Sequence, residues 1–389
     1  MSGPLPADFS LGSAVLPESA ERVMLEILIH GPLSRVELAR RLGLSGPSLT
    51  RLTKPLIASG RLLEREPLAR SMGRPMQPLD LDPSAEHFAG VKITIDAVHS
   101  VITDMRGVVR SEREDPLDTR DASGIARVVA RGVGALAVAG DAPVGIGISL
   151  GGNTADGRVV RESHFLGWRD VPFAELVEDE TGLPCVVAND VNALTQAQHW
   201  FGEGRGLNDF AVVTIGAGIG LGVVAAGELI VGAHGALGSI GHQLLLWSDA
   251  TCWRGHHGCA SAMLSTGAIE AAAARQLGRD VPFDDILRAA ERGDPALRRV
   301  VDLAGESLGL LLANVTNTLD PEKIVLAGEG ARLGEVGEHA MLASFRDAMV
   351  WDTVRTPIQV QPFAFNEWAR GAAAMAIRSR MLRGATAAG

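Results

Sequence analysis

The chain reads as an α/β protein in two parts, a winged helix-turn-helix module at residues 18–82 and a two-lobed body at residues 83–389. Three observations predict this. Two short helical patterns joined by Leu42-Gly43-Leu44-Ser45 precede a basic loop flanked by two short β-runs. A three-strand run followed by α/β crossovers occurs twice, from Phe88 and again from Phe210, as expected for two lobes (about 83–190 and 191–389) around a cleft. Between them in importance lies a β-run ending in Gly216-Ala217-Gly218-Ile219-Gly220, where bare backbone can turn tightly or approach a phosphate.

Charge separates the two parts. The net charge is -10, yet Gly31–Met76 holds nine Lys+Arg against three Asp+Glu. A small basic module on an acidic body points to an anionic partner for the first and a small molecule for the second. Three cysteines do not make a disulfide framework, which points to a reducing compartment. The start, Met1–Gly12, lacks the basic and apolar regions of a signal peptide. The most apolar region, Val128–Leu150, carries Arg131, Asp141 and Pro143, so no membrane span is expected and the protein is placed in the cytoplasm.

In the N-terminal module, residues 1–17 contain three prolines and are expected to be flexible. From Glu18 an apolar face of Val23, Leu25, Ile27 and Leu28 predicts a helix, stopped at Gly31-Pro32. Ser34, with Glu37 three residues on, predicts a capped second helix to Leu42. Ser45 then caps a third helix to Ser59, burying Leu49, Leu52 and Leu56, with Pro55 expected to kink its last turn. Such a third helix would lie in the DNA major groove. Ser48 and Arg51 are expected at base edges, Thr50 and Lys54 at phosphates. The segments Arg61–Arg65 and Pro78–Asp82 predict the strands of a wing. Gly73-Arg74-Pro75 near its tip would hold the chain extended, so that its guanidinium can enter a narrow negative slot. In the bland alternative these cations are a solvated surface.

In the body, strands are predicted at Gly90–Ile95, Val98–Asp104, Val108–Arg110, Val144–Ser149 and Cys185–Asn189, then at Phe210–Ile215, Leu221–Ala226, Glu228–Ile230 and Lys323–Ala327. Helical pattern covers Ala122–Ala139, Phe173–Thr181, the region after Ser265 and the segment from Asn366. His242, Cys252 and Cys259 are spaced so that an imidazole and two thiols can hold one metal ion.

The stretch Thr214–Ser261 resembles the core of the ROK family of bacterial repressors and sugar kinases. The matching positions are Gly216, Gly218, Gly220, Gly238, Gly241, His242, Cys252, Gly255, Gly258 and Cys259. Four positions depart from the family pattern: Ala217 for Thr, Ser239 for Glu, Arg254 for Cys and Ser261 for Glu. The resemblance covers nearly the whole chain and implies an actin-like (ribonuclease H-like) sugar-kinase fold behind a DNA-binding domain. Gly73-Arg74-Pro75 matches the family's repressors as well.

The resemblance also supplies the test for catalysis. Kinases of the family open the first lobe with Asp-x-Gly-Gly-Thr; here the stretch is Lys92-Ile93-Thr94-Ile95-Asp96. Lysine replaces the acid, and β-branched side chains replace the glycines that let phosphate reach the backbone. Phosphoryl transfer needs that cradle, so a degenerate, non-enzymatic kinase cleft is expected, with no ATP. Asp190 is the family's base position; it serves equally as an acceptor from a bound sugar, and Asn189-Asp190 also suits a helix cap. Sugar contacts implied by the resemblance fall on Asn189, Asp190, Ser239, His242 and Ser261, with Gly152 and Asn153 as cleft wall. Loss of two carboxylates at 239 and 261 favours a larger or anionic ligand such as a sugar phosphate, or no sugar at all. Zinc would have His242, Cys252 and Cys259, with His256 or His257 as fourth ligand because Arg254 cannot serve; the alternative is a metal-free loop with two packed thiols. The function implied is a transcriptional regulator, a repressor, of carbohydrate-related genes. One recognition helix reads few bases, so a homodimer (or tetramer) on a palindromic operator is expected. The rivals are a sugar kinase with a DNA-binding appendage and a ligand-independent DNA-binding dimer.

Overall fold

The computed structural model describes residues 18–66, 77–137, 141–154, 156–351 and 353–381. They form two compact units, one running to Ala85 and including the segment from Ile377, the other spanning Glu86–Ala376. The first boundary falls three residues beyond the expected 82.

The first unit begins with helix α1 (Glu18–His30), strand β1 (Leu33–Ser34), α2 (Arg35–Leu42) and α3 (Gly46–Ala58). Strands β2 (Leu62–Glu64) and β3 (Pro78–Leu81) complete it, in a sheet of order β1-β3-β2. Ser34 Oγ accepts from Glu37 N at 3.2 Å and caps α2, while Gly43 closes that helix at φ 64°. The Glu37 carboxylate turns along the helix to Arg41 at 3.5 Å, so only half of the expected capping box forms. Ser45 caps α3 through Ser48 N. Pro55 is tolerated inside α3, which runs three residues beyond it. Val23, Ile27, Leu38, Leu49, Leu56, Leu62, Leu79 and Leu81 are almost fully buried, so each helix and the sheet contribute to one core. Leu52, expected inward, is only half-buried. The wing tip, including Gly73, Arg74 and Pro75, lies outside the described residues.

The second unit repeats one topology. Its first lobe runs β4 (His87–Ile93), β5 (Ala97–Asp104), β6 (Val109–Pro116), α4 (Ala122–Leu136), β7 (Pro143–Leu150), the hairpin β8 (Val160–Ser163) and β9 (Trp168–Val171), α5 (Phe173–Thr181) and β10 (Cys185–Asn189). After α6 (Asp190–Phe201) come β11 (Phe210–Ile215), β12 (Ile219–Ala225) and β13 (Glu228–Ile230). Helices α7 (Ala260–Leu264), α8 (Thr266–Leu277), α9 (Phe283–Glu291) and α10 (Pro295–Leu319) follow. The chain ends with β14 (Lys323–Ala327), α11 (Leu333–Val336), α12 (Glu338–Ala348), β15 (Ile358–Val360) and α13 (Phe365–Met381). The sheet orders are β10-β7-β4-β5-β6 and β13-β12-β11-β14-β15. Each is an antiparallel meander whose first strand also pairs in parallel with a crossover strand. This is the actin-like arrangement.

The third strand of the first meander, expected at Val108–Arg110, extends to Pro116. Its sequence VRSEREDP has a mostly solvent-facing edge position and no apolar alternation to betray it.

Two helices lie between the sheets. Helix α6 sits on β12 where glycine leaves room: a Cβ on Gly222 would fall 1.9 Å from Thr195 Oγ1, and one on Gly220 2.7 Å from Val191 Cγ2. Helix α13 sits on β4 and β7 in the same way, Gly90 facing Ala369 O and Gly147 facing Ala372 O. Trp368 of α13 packs with Leu194, Phe210, Val212 and Val325. Among the described residues no helix is long and apolar enough to cross a membrane.

Candidate functional site

The β10–α6 junction carries Asn189 and Asp190. Asn189 caps α6, its Oδ1 accepting from Val191 N and Asn192 N at 3.0 and 3.2 Å. Its amide donates to Gly152 O at 3.0 Å, tying the turn after β7 to the head of α6. Asp190 Oδ1 accepts from Val191 N, and Oδ2 accepts from the Lys92 ammonium. Lys92 is 7 % exposed, and its Nζ lies 5.1 Å from the centroid of the Trp368 ring. Two strands (β4, through Lys92, and β10), two helices and one ion pair therefore meet here. The pairing was not legible in the sequence because the two residues stand 98 apart.

Neither phosphate turn is free. Thr94 Oγ1 donates to Asp96 Oδ1 at 2.8 Å and accepts from Ala97 N at 3.0 Å, and Thr94 N donates to Ala97 O. The β4–β5 turn is thus closed on itself. On the opposite lobe, Ala217 N donates to Glu329 Oε1 at 2.8 Å. The Gly328-Glu329-Gly330 turn thus directs its carboxylate at the glycine turn.

The β8–β9 hairpin, which sequence reading missed, packs against the turn after β7. Phe165, at its tip, faces Gly151. Asn153 amide donates to His234 O at 2.9 Å, joining the two lobes, while its buried Oδ1 has no protein partner. Ser239 is exposed and its hydroxyl donates to Ala236 O. Ser261 is buried, its Oγ 2.8 Å from where a Cβ on Gly241 would stand. Two short hydroxyls thus occupy two of the four departures from the family pattern, one facing solvent and one beneath the Gly241-His242 turn.

His242, Cys252, His256 and Cys259 converge, all ligating atoms lying within 4.8 Å of one another. Cys252 Sγ and Cys259 Sγ are 3.5 and 3.9 Å from His242 Nδ1. A tetrahedral ion with bonds of roughly 2.0–2.3 Å asks for similar donor separations. Burial raises the Cys252 thiol, but the backbone N–H groups of Arg254 and His256 and the bond with Cys259 outweigh it and the net direction is down, while burial and Cys252 push the Cys259 thiol up. Burial, then His256 and Arg254, lowers His242, keeping the imidazole neutral as a ligand requires. Of the two histidines left open, His256 joins the cluster; His257 Nδ1 lies 3.4 Å from Thr251 Oγ1. The Arg254 guanidinium is exposed and lies over Trp253, 5.3 Å from the ring centroid. The residues present therefore fit a divalent metal.

In the first unit Thr50, Arg51 and Lys54 are exposed on α3. Ser48 is half-buried and its Oγ accepts from Ser45 Oγ at 2.9 Å. Thr50 Oγ1 donates to Gly46 O within the helix. Arg51 and Lys54 are the long side chains this face offers.

Known proteins share this architecture. The chain is 26 % identical over 315 residues to the DNA-binding transcriptional dual regulator NagC of Escherichia coli K12, covering 77 % of each chain. A solved ROK family transcriptional regulator, a homologue of the E. coli Mlc protein, superposes with a TM-score of 0.80 at 24 % identity, over 94 % of this chain and 97 % of that one. A glucokinase of Halalkalibacterium halodurans is 34 % identical over 211 residues, 49 % of this chain and 63 % of that protein. The family model for the ROK family matches residues 89–379. The chain belongs to the ROK family.

Proposed function

We propose that this protein is a DNA-binding transcriptional regulator, a repressor of carbohydrate-related genes, whose body binds a sugar or sugar-phosphate effector without phosphorylating it. The observation that carries this reading is the Lys92 ammonium on Asp190. A base must present a free oxygen to the attacking hydroxyl, and here Oδ2 of Asp190 is taken by the buried ammonium and Oδ1 by Val191 N. The self-closed Thr94 turn supports the same reading, since it offers no open cradle to a triphosphate. The name of E. coli NagC is in keeping with it. Residues 18–82 read DNA through α3 and the wing, with Ser48, Thr50, Arg51, Lys54, Gly73, Arg74 and Pro75 as contacts. Residues 83–389 bind effector at Gly152, Asn153, Asn189, Asp190, Ser239, His242 and Ser261. A cytoplasmic homodimer places two recognition helices on a palindromic operator, and lobe closure around the effector changes their spacing.

Selection of bound duplexes from a random pool, with and without sugars, tests the reading; a palindromic motif released by one sugar class is expected. Arg51→Ala is expected to weaken the selected operator by about 1–3 kcal/mol and to relax one position in each half-site. A pool that yields no motif, or steady ADP formation from ATP and a hexose, would overturn it.

We further propose that the metal is zinc, held by His242, Cys252, His256 and Cys259. Structural zinc stabilises the fold that holds it. Purified protein is expected to carry about one zinc per chain, and Cys259→Ser to lose it together with several degrees of melting temperature. Equal zinc content in His256→Ala and wild type would remove His256 from the ligand set.

A further inference from the structure

The glycine turn between β11 and β12 already holds an anion, and that anion belongs to the chain. Besides the bond from Ala217 N, a Cβ on Gly216 would come within 2.3–2.5 Å of Glu329 Cδ, Oε1 and Oε2. The carboxylate thus lies flat on the Gly216 backbone. Its own backbone is pressed into place from both sides. Gly330 N donates to Ile215 O at 2.8 Å, and Gly328, at φ 95°, leaves no room for a Cβ, which would fall 2.3 Å from the same oxygen. Both polar groups of the Gly216 backbone are engaged as well. Gly216 N donates to Gly218 O at 3.0 Å, and Gly216 O accepts from Thr266 N at 3.0 Å. Ala217, Gly218 and Glu329 are all exposed, so a solvent anion can reach this turn and would meet a like charge there.

We infer that Glu329 is a specificity-determining residue. Its carboxylate takes the place of a ligand phosphate on the Gly216-Ala217 backbone and keeps nucleotides and polyphosphates out of the cleft. A backbone turn that donates N–H groups to an anion is a general phosphate-binding device; filling it internally removes that device without altering the strands that carry it. Such a plug goes beyond the proposed sensing function, since it concerns what the cleft rejects. It gives a sensor one physical advantage, because abundant nucleotides then do not compete with the effector.

Calorimetry with ADP and with tripolyphosphate on the full-length wild type, Glu329→Gly and Glu329→Gln tests this. Wild type is expected to bind neither ligand measurably. Glu329→Gly, which clears the turn, is expected to bind at least tenfold above that limit. Glu329→Gln keeps an oxygen on Ala217 N but deletes the charge, so a smaller gain in the same direction is expected. Operator binding and melting temperature should be unchanged in both. Wild type binding ADP as tightly as Glu329→Gly, or folded variants binding no better than wild type, would overturn the assignment; the DNA-binding reading would stand in either case.

Discussion

Lys92→Met is expected to destabilise the body by about 3–5 kcal/mol, because it strands the Asp190 carboxylate in a largely buried position. The two side chains are 9 % and 17 % exposed, so solvent does little to screen what is left. Asp190→Leu should cost a similar amount, leaving the ammonium with only the face of Trp368. The double variant is the informative one. With both charges gone the desolvation penalty disappears too, so its loss should be far smaller than the sum of the single losses. Urea unfolding of all four proteins reads this directly. Additive losses would mean that the pair is not coupled, and the case against catalysis built on it would fail.

Gly147→Ala is expected to be the most damaging single-methyl change in the first lobe. Its Cβ would stand 1.8 Å from Ala372 O and 2.6 Å from Ala372 C, both backbone atoms of α13 that cannot move aside by changing rotamer. The loss should lie at or beyond the upper end of the roughly 1–3 kcal/mol usual for overpacking. Gly90→Ala, with Ala369 O at 2.0 Å, should behave alike. Gly134→Ala provides the contrast. It lies in α4 with nothing within 4 Å of the added Cβ, so a gain of about 0.5–1 kcal/mol is expected. Urea midpoints that fail to separate Gly147→Ala from Gly134→Ala would contradict the close seating of α13.

Local chemistry made much of this fold legible in advance. Helix α1 starts and stops where the apolar face and Gly31-Pro32 place it, and α5, β10 and β14 match their expected ranges to the residue. Strand β1 escaped because two residues carry no periodicity; they are strand only through pairing with β3. The β8–β9 hairpin escaped because each arm has four residues and its tip exposes Phe165. For the site, residue types were readable and partnerships were not. Lys92 and Asp190 each stood out alone, as did the Gly216-Ala217 turn, but contacts across 98 residues (Lys92 to Asp190) and 112 residues (Ala217 to Glu329) are a property of the fold. The choice of His256 over His257 likewise depended on how the loop closes.

Helix α6 has a mechanical consequence. Asn189 and Asp190 stand at its head, and farther along no side chain on the strand side cushions it from Gly220 and Gly222 of β12. A cushion would let the helix shift by a rotamer change; bare backbone does not. A tug at the head of α6 is therefore transmitted to the far sheet as the motion of one stiff piece, so an effector anchored at Asp190 would push on the short arm of a lever.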